Sequence, residues 1–344
     1  MNLKDFVRPS IMAMKPYSSA RDEYQSQDDD LVFLDANENP FQSELNRYPD
    51  PQQLLLKAKF AALKGVSANQ ILLGNGSDEV LDLLFRAFCE PHQDAVLTLT
   101  PTYGMYGVLA HLNAIENQTV TLTPDFQIPT EKVLEAIQPN TKIIFICSPN
   151  NPSGNLLKSD AIERILKSFN GLVVIDEAYI DFTASTSWIA HLLEFPNLVV
   201  TQTLSKAYGL AGIRLGICYA SIEIISILNK IKPPYNVNLL TQNEALKGLS
   251  NQNNLKKQIE IIRSERIKLV EIIKDISFVK TVFPTDSNFV LIRVDDANKR
   301  YDQLIKKGII LRNRHGQSLC DNCLRITIGT PSENLKLMNA LQNI

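Results

Sequence analysis

Between residues 71 and 219 the chain repeats one pattern, a strand-length aliphatic run followed by a stretch with helical spacing. The runs are 71–73, 95–99, 143–147, 172–175, 198–201 and 215–219. Several are apolar at nearly every position rather than at alternate ones, which a sheet covered on both faces requires. The helical stretches include 79–89, apolar at 80, 81, 83, 84, 85 and 88, and 161–169. Strand and helix in alternation predict an α/β domain around a largely parallel sheet built from crossover units. After Pro233-Pro234 the texture changes. Helical stretches at 239–249, 255–274 and near 299–307 are mixed with strand-like 288–294, 309–312 and 324–328 and a closing helix, as in a smaller α+β domain. With 344 residues the chain is long enough for about two such cores. The expected division is a polar arm over 1–30, a large domain over 31–235 and a small domain over 236–344.

Composition narrows the partners. The 35 basic and 37 acidic residues give a net charge of −2, with no basic surplus for nucleic acid or an acidic membrane surface. The longest apolar runs fall far short of the roughly 20 residues that span a bilayer. Asp5, Arg8 and Lys15 break any secretory signal, so a cytoplasmic location is expected. Of the five cysteines, Cys147 and Cys218 sit inside apolar runs, where a thiol acts as a small hydrophobe. Cys320-Asp-Asn-Cys323 has no second pair and only His315 nearby, too few ligands for a structural zinc site. Free cysteines flanking a turn, and no metal, is the expectation. His92, His111 and His191 show no ligand spacing.

Four segments carry chemistry. Lys206 lies in Thr203-Leu-Ser-Lys-Ala-Tyr-Gly-Leu-Ala-Gly-Ile-Arg-Leu-Gly216, among small and apolar residues. Desolvation lowers a lysine's pKa, and a neutral amine forms a Schiff base with an aldehyde. Alone, such a lysine more often snorkels from a loop. Asp176 ends the apolar run Val173-Val-Ile-Asp, at the crevice where open α/β sheets bind ligands. There it can keep a ring nitrogen protonated, although the same position often caps a helix. Cys147-Ser-Pro-Asn-Asn-Pro-Ser-Gly154 follows another run as a tight turn. Leu73-Gly-Asn-Gly-Ser77-Asp78 opens a helix, where backbone amides and the helix dipole favour an anion. Capping by Ser77 and phosphate binding stand equal on that segment alone.

Taken together, Asn151-Pro-Ser-Gly, Asp176-x-x-Tyr179, Ser205-Lys206 and Arg214 resemble the signature of the fold-type-I aminotransferases, which use pyridoxal 5′-phosphate. The resemblance implies a large domain with a mainly parallel seven-stranded sheet flanked by helices, plus a smaller α+β domain. It makes Lys206 the catalytic amine and proton shuttle, and Asp176 the partner of the pyridine nitrogen. Asn151 and Tyr179 would hold the 3-oxygen, and Tyr103 would stack on the ring. Ser205 and Arg214, with the backbone amides around Ser77 and Asp78, would hold the phosphate. Ser153 replaces the usual threonine of its turn and keeps a hydroxyl.

Further stretches are similar to the histidinol-phosphate aminotransferases in particular: Lys15-Pro-Tyr17, Leu34-Asp-Ala-Asn37-Glu-Asn-Pro40, Arg47-Tyr48-Pro-Asp50, Pro101-Thr-Tyr-Gly-Met-Tyr106, Ile309-Ile-Leu-Arg312 and Cys323-Leu-Arg325. That likeness implies an anion clamp of Arg325 and Arg312 with Tyr17 and Asn37 at the substrate, because guanidinium binds phosphate and carboxylate alike. It also implies a homodimer in which Tyr48 reaches the partner's cofactor phosphate, and an arm that covers the substrate. Without the likeness, Arg312 and Arg325 read as surface ion pairs. Rival activities are a threonine-phosphate decarboxylase and an aromatic amino-acid aminotransferase. A cofactor-binding regulator is disfavoured because no basic helix-turn-helix segment precedes Tyr17.

Overall fold

The computed structural model describes residues 6–19, 21 and 32–344; the acidic run at 28–30 lies outside them. A short helix α1 (Pro9–Ala13) precedes α2 (Leu54–Lys64) and then β1 (Ile71–Asn75), α3 (Ser77–Phe88), β2 (Ala95–Thr100), α4 (Met105–Leu112) and β3 (Glu116–Thr121). The chain continues through α5 (Thr130–Glu135), β4 (Thr141–Cys147), α6 (Ser159–Ser168), β5 (Leu172–Asp176), β6 (Leu198–Thr203) and β7 (Leu215–Ala220). These seven strands form one sheet in the order β1-β7-β6-β5-β4-β2-β3. Only β7 runs antiparallel to its neighbours, so the other six share a direction and end along one edge.

The unbroken apolar runs have a plain cause. Successive side chains of a strand point to opposite faces. In β4, Ile144 and Ile146 enter one core while Ile143, Phe145 and Cys147 enter the other. β5 divides in the same way, with Val173 and Ile175 against Leu172 and Val174. β3 escapes the sequence reading because it is an edge strand, Glu-Asn-Gln-Thr-Val-Thr, in which only Val120 is buried.

Beyond β7 come α7 (Ile222–Ile231), α8 (Leu239–Ser250), α9 (Gln252–Lys274), β8 (Val279–Val282), β9 (Phe289–Val294), α10 (Ala297–Lys306), β10 (Arg312–Asn313), β11 (Cys323–Thr327) and α11 (Pro331–Gln342). The four strands form an antiparallel sheet, β10-β11-β9-β8, with its own core around Leu269, Ile273, Ile292, Leu324 and Leu341. Helix α8 instead buries Ala245 and Leu249 in the core of the large sheet. The expected strand over 309–312 is paired only at Arg312–Asn313. The Ile309 amide donates to the Leu304 carbonyl, closing α10 across Gly308, and Leu311 packs into the small core without a ladder partner. Among the described residues no helix is long and apolar enough to cross a membrane, and all five cysteines are free and buried.

Candidate active site

A cavity of about 500 Å³ opens at the edge where the parallel strands end. Its walls are Ser77, Asp78 and Tyr103 on one side and Asn151, Asp176 and Tyr179 on another, closed by Ser205, Lys206 and Arg214. The nine positions assigned to the cofactor within one protomer thus meet, although they span 138 residues of chain from Ser77 to Arg214. Cys147 and Thr203 also line it.

Asp176 is the last residue of β5 and is buried. It accepts hydrogen bonds from the Tyr106 hydroxyl at 2.8 Å and the Ala178 amide at 3.1 Å. Burial raises its pKa against the opposing pull of those two donors. A carboxylate so placed is stabilised by any cation set against it. Tyr106 was missed as a site residue at the sequence level, although it stands three residues after Tyr103, the spacing that puts two helical side chains on one face. It is fully buried and stacks on Phe145 at 4.9 Å.

Lys206 follows the end of β6 with its ammonium 5.8 Å from the Tyr179 ring centroid. The side chain is accessible from the cavity mouth, yet the protein crowded around it lowers its pKa by desolvation, helped by Arg325.

At the opposite wall the N-cap of α3 is Gly76 and no side chain caps the helix, so Ser77 is the first helical residue and the capping alternative does not hold. A Cβ at Gly216 would lie 2.3 Å from the backbone of Gly76 and Ser77, which is how closely β7 presses this turn against the cavity. Arg214 adopts the left-handed conformation (φ 55°), and its guanidinium would meet a Cβ at Gly76 at 2.6 Å. Helix amides, two hydroxyls and a guanidinium thus surround a small space, the donor set a phosphate needs. Tyr103 donates to Asp78 at 3.0 Å, tying the aromatic wall to the same helix start.

The turn that carries Asn151 is locked from both sheets. Asn150 donates to the Pro101 carbonyl at 3.0 Å and to Ser153 Oγ at 2.8 Å, so the hydroxyl at 153 has a structural use. Ser287 donates to the Gly154 carbonyl at 2.9 Å from the other side. Arg325 of β11 then crosses to the large domain and donates to Asn151 Oδ1 at 2.5 Å. Arg312 faces Arg325 across the β10–β11 ladder and is exposed. Neither arginine forms an ion pair among the described residues, so the surface-pair reading does not hold.

Besides Arg312 and Arg325, which do not line this cavity, three assigned residues lie farther from it in the protomer. Tyr17 is 76% exposed beside Lys15 and Lys230. Asn37 and Tyr48 line a separate groove, where Tyr48 stacks on Tyr235 at 4.4 Å. Glu38 holds that segment, accepting from the Tyr48 amide at 2.6 Å and from Arg21 and Arg47 at 2.8 Å each. Among the described residues no group of three or more His, Cys, Asp or Glu is placed to hold a metal ion.

The chain has close counterparts among known proteins. The profile of class I and II aminotransferases matches residues 25–341. The chain belongs to that family. It is 60% identical over its full length to the histidinol-phosphate aminotransferase of Christiangramia forsetii, covering 98% of that protein. It is 58% identical to the enzyme of the same description from Flavobacterium johnsoniae, covering 98% of this chain and 99% of the other. Among solved structures, the histidinol-phosphate aminotransferase of Sinorhizobium meliloti in complex with pyridoxal-5′-phosphate aligns with a TM-score of 0.81 at 25% identity, covering 87% of this aminotransferase and 83% of that one. The corresponding enzyme of Clostridium acetobutylicum aligns at 0.80 and 26%, covering 87% and 91%.

Proposed function

We propose that this aminotransferase moves the amino group of L-histidinol phosphate to 2-oxoglutarate, reversibly, giving imidazole-acetol phosphate and L-glutamate as a step of histidine biosynthesis. The observation that carries the reading is the meeting of Lys206 and Asp176, an amine and a buried carboxylate, in one cavity whose wall at Asn151 is joined by the Arg325 guanidinium of the second sheet. Full-length relatives that bear this activity in their names support the choice of substrate.

The cofactor of the reading is pyridoxal 5′-phosphate, which when bound supplies an aldehyde and a protonated ring that acts as an electron sink. Asp176 would face the ring nitrogen, its carboxylate aimed by Tyr106 and the Ala178 amide. Asn151 and Tyr179 would hold the 3-oxygen, Tyr103 the ring face, and Ser205, Arg214 and the backbone amides around Ser77 and Asp78 the phosphate. Lys206 has its pKa lowered by burial, so more of the amine is neutral at a given pH and fit to attack a carbonyl carbon. The same amine would act as general base at the substrate's α-carbon and then as general acid, moving that proton across the substrate's nitrogen. Arg325 and Arg312 hold the substrate's phosphate in one half-reaction and a carboxylate in the other.

A second copy of the chain completes the site in this reading. Tyr17, Asn37 and Tyr48 stand outside their own cavity, and the same segment exposes Val32, Leu34, Phe41 and Leu45. Tyr48 is assigned to the partner's cofactor phosphate, with Tyr17 and Asn37 at the substrate.

The test is the visible absorption of the cofactor-loaded protein mixed with L-histidinol phosphate and no keto acid. A stoichiometric shift to the amino form of the cofactor is expected, and Lys206→Ala should lower turnover by about 10³-fold or more. No response to this substrate, with carbon dioxide released from threonine phosphate instead, would transfer the fold to a different reaction.

A further inference from the structure

The hairpin of β10 and β11 carries one more guanidinium than the reaction above uses. Arg312 lies opposite Arg325, and the ladder extends a step further, with the Arg314 amide donating to the Cys323 carbonyl at 2.9 Å. Side chains two residues apart share a face, so Arg312, Arg314 and Arg325 belong to one face of the hairpin. Leu324, on the other face, packs in the small core. The arginine face is turned to the large sheet, since Cys323 beside it joins the large core and Arg325 reaches Asn151.

Among the described residues Arg314 makes no side-chain hydrogen bond and no ion pair, and its Nε is buried without a partner. The Nε of Arg325 is buried and unpartnered as well. Arg314 and the cavity residue Tyr179 lie within each other's electrostatic reach. Like charges set side by side repel, and buried donors without acceptors are costly. Three guanidiniums on one face with no acid among them are stable together once an anion sits between them.

We infer that Arg314 is a specificity-determining contact of this anion pocket, the donor that favours a phosphate monoester over a carboxylate. The inference rests on the function proposed above. A carboxylate offers one charge and two oxygens, which one bidentate guanidinium saturates. A phosphate monoester carries about −1.5 to −2 and three acceptor oxygens, and so uses a further cation that a carboxylate leaves idle.

The two half-reactions, measured separately by single-turnover absorption, read this directly. Arg314→Gln should lower kcat/KM for L-histidinol phosphate about tenfold more than kcat/KM for glutamate. Arg314→Lys, which keeps the charge and loses the fork, should recover part of that difference, and it replaces the glutamine variant if the latter fails to fold. Inorganic phosphate should inhibit the glutamate half-reaction of the wild type more strongly than that of either variant. Equal losses in both half-reactions, or none, would overturn the inference while the wild type still turns over L-histidinol phosphate. A wild type inert toward that substrate would instead overturn the proposed function, and the inference with it.

Discussion

At the floor of the cavity Asp176 is buried and partnered by Tyr106 and Ala178, whereas at the rim Arg314 and Arg325 keep buried Nε–H groups with no acceptor. Both arrangements hold charge in a desolvated place, but for different uses. A carboxylate fixed by two donors presents one orientation to a group that stays through every turnover. In the proposed reading, guanidiniums left short of acceptors keep their hydrogen bonds for an anion that must enter, leave and be replaced by one of another shape. The floor also lies within the large domain, where β5 meets α4, while the rim is formed where the second sheet meets it, at Arg325 and Asn151. In the proposed reading, fixed chemistry falls inside one core, and exchange at a junction between two.

Breaking the floor should cost the most. Asp176→Asn is expected to lower kcat by about 10²- to 10³-fold, the scale of removing one preorganised electrostatic partner. It should also change the pH dependence of the cofactor-free protein. Burial raises the folded pKa of Asp176 above its usual 3.8. The folded state therefore holds more protons than the unfolded chain between those two values, and stability falls as pH rises through that window. The melting temperature of Asp176→Asn, relative to wild type, should climb through the same window by about 1–3 °C and then level off. A difference that stays flat with pH would mean the carboxylate is not destabilised by burial.

Breaking the rim should cost less and fall elsewhere. Arg325→Gln is expected to raise KM for L-histidinol phosphate by about 10- to 100-fold, through lost charge-assisted bonds to the anion. Kinetics that instead lose kcat with KM unchanged would move Arg325 from substrate binding to the chemistry. The smallest effect sharpens the contrast within the floor. Tyr106→Phe removes one donor but leaves the Ala178 amide, so stability should drop by about 1–2 kcal/mol and kcat by no more than about tenfold. A loss as large as that of Asp176→Asn would make Tyr106 an equal partner in catalysis rather than an aligner of the acid.

Much of this was legible before any coordinates. The sheet announced itself because β4 and β5 are covered on both faces and so carry unbroken apolar runs, Ile143–Cys147 and Leu172–Ile175, while β3, wet on one side, did not. Lys206, Asp176, Asn151 and Arg214 stand at or near strand ends, which in such sheets converge on one edge, but none decided its role alone; the set was legible through its resemblance to the aminotransferase signature. Tyr106 and Arg314 were harder to see. Their roles depend on what faces them across the fold: a carboxylate 70 residues away for Tyr106, and the arginine face of the β10–β11 hairpin for Arg314. The same holds for Ser77, whose part in the helix start was settled by Gly76 occupying the cap. The sequence by itself thus determined the layered α/β architecture and the residues at the strand ends, because burial periodicity and turn chemistry are local and written residue by residue. Only the tertiary structure decided which charges are satisfied and which wait for a ligand, because hydrogen-bond partners and desolvation come from segments far apart in the chain.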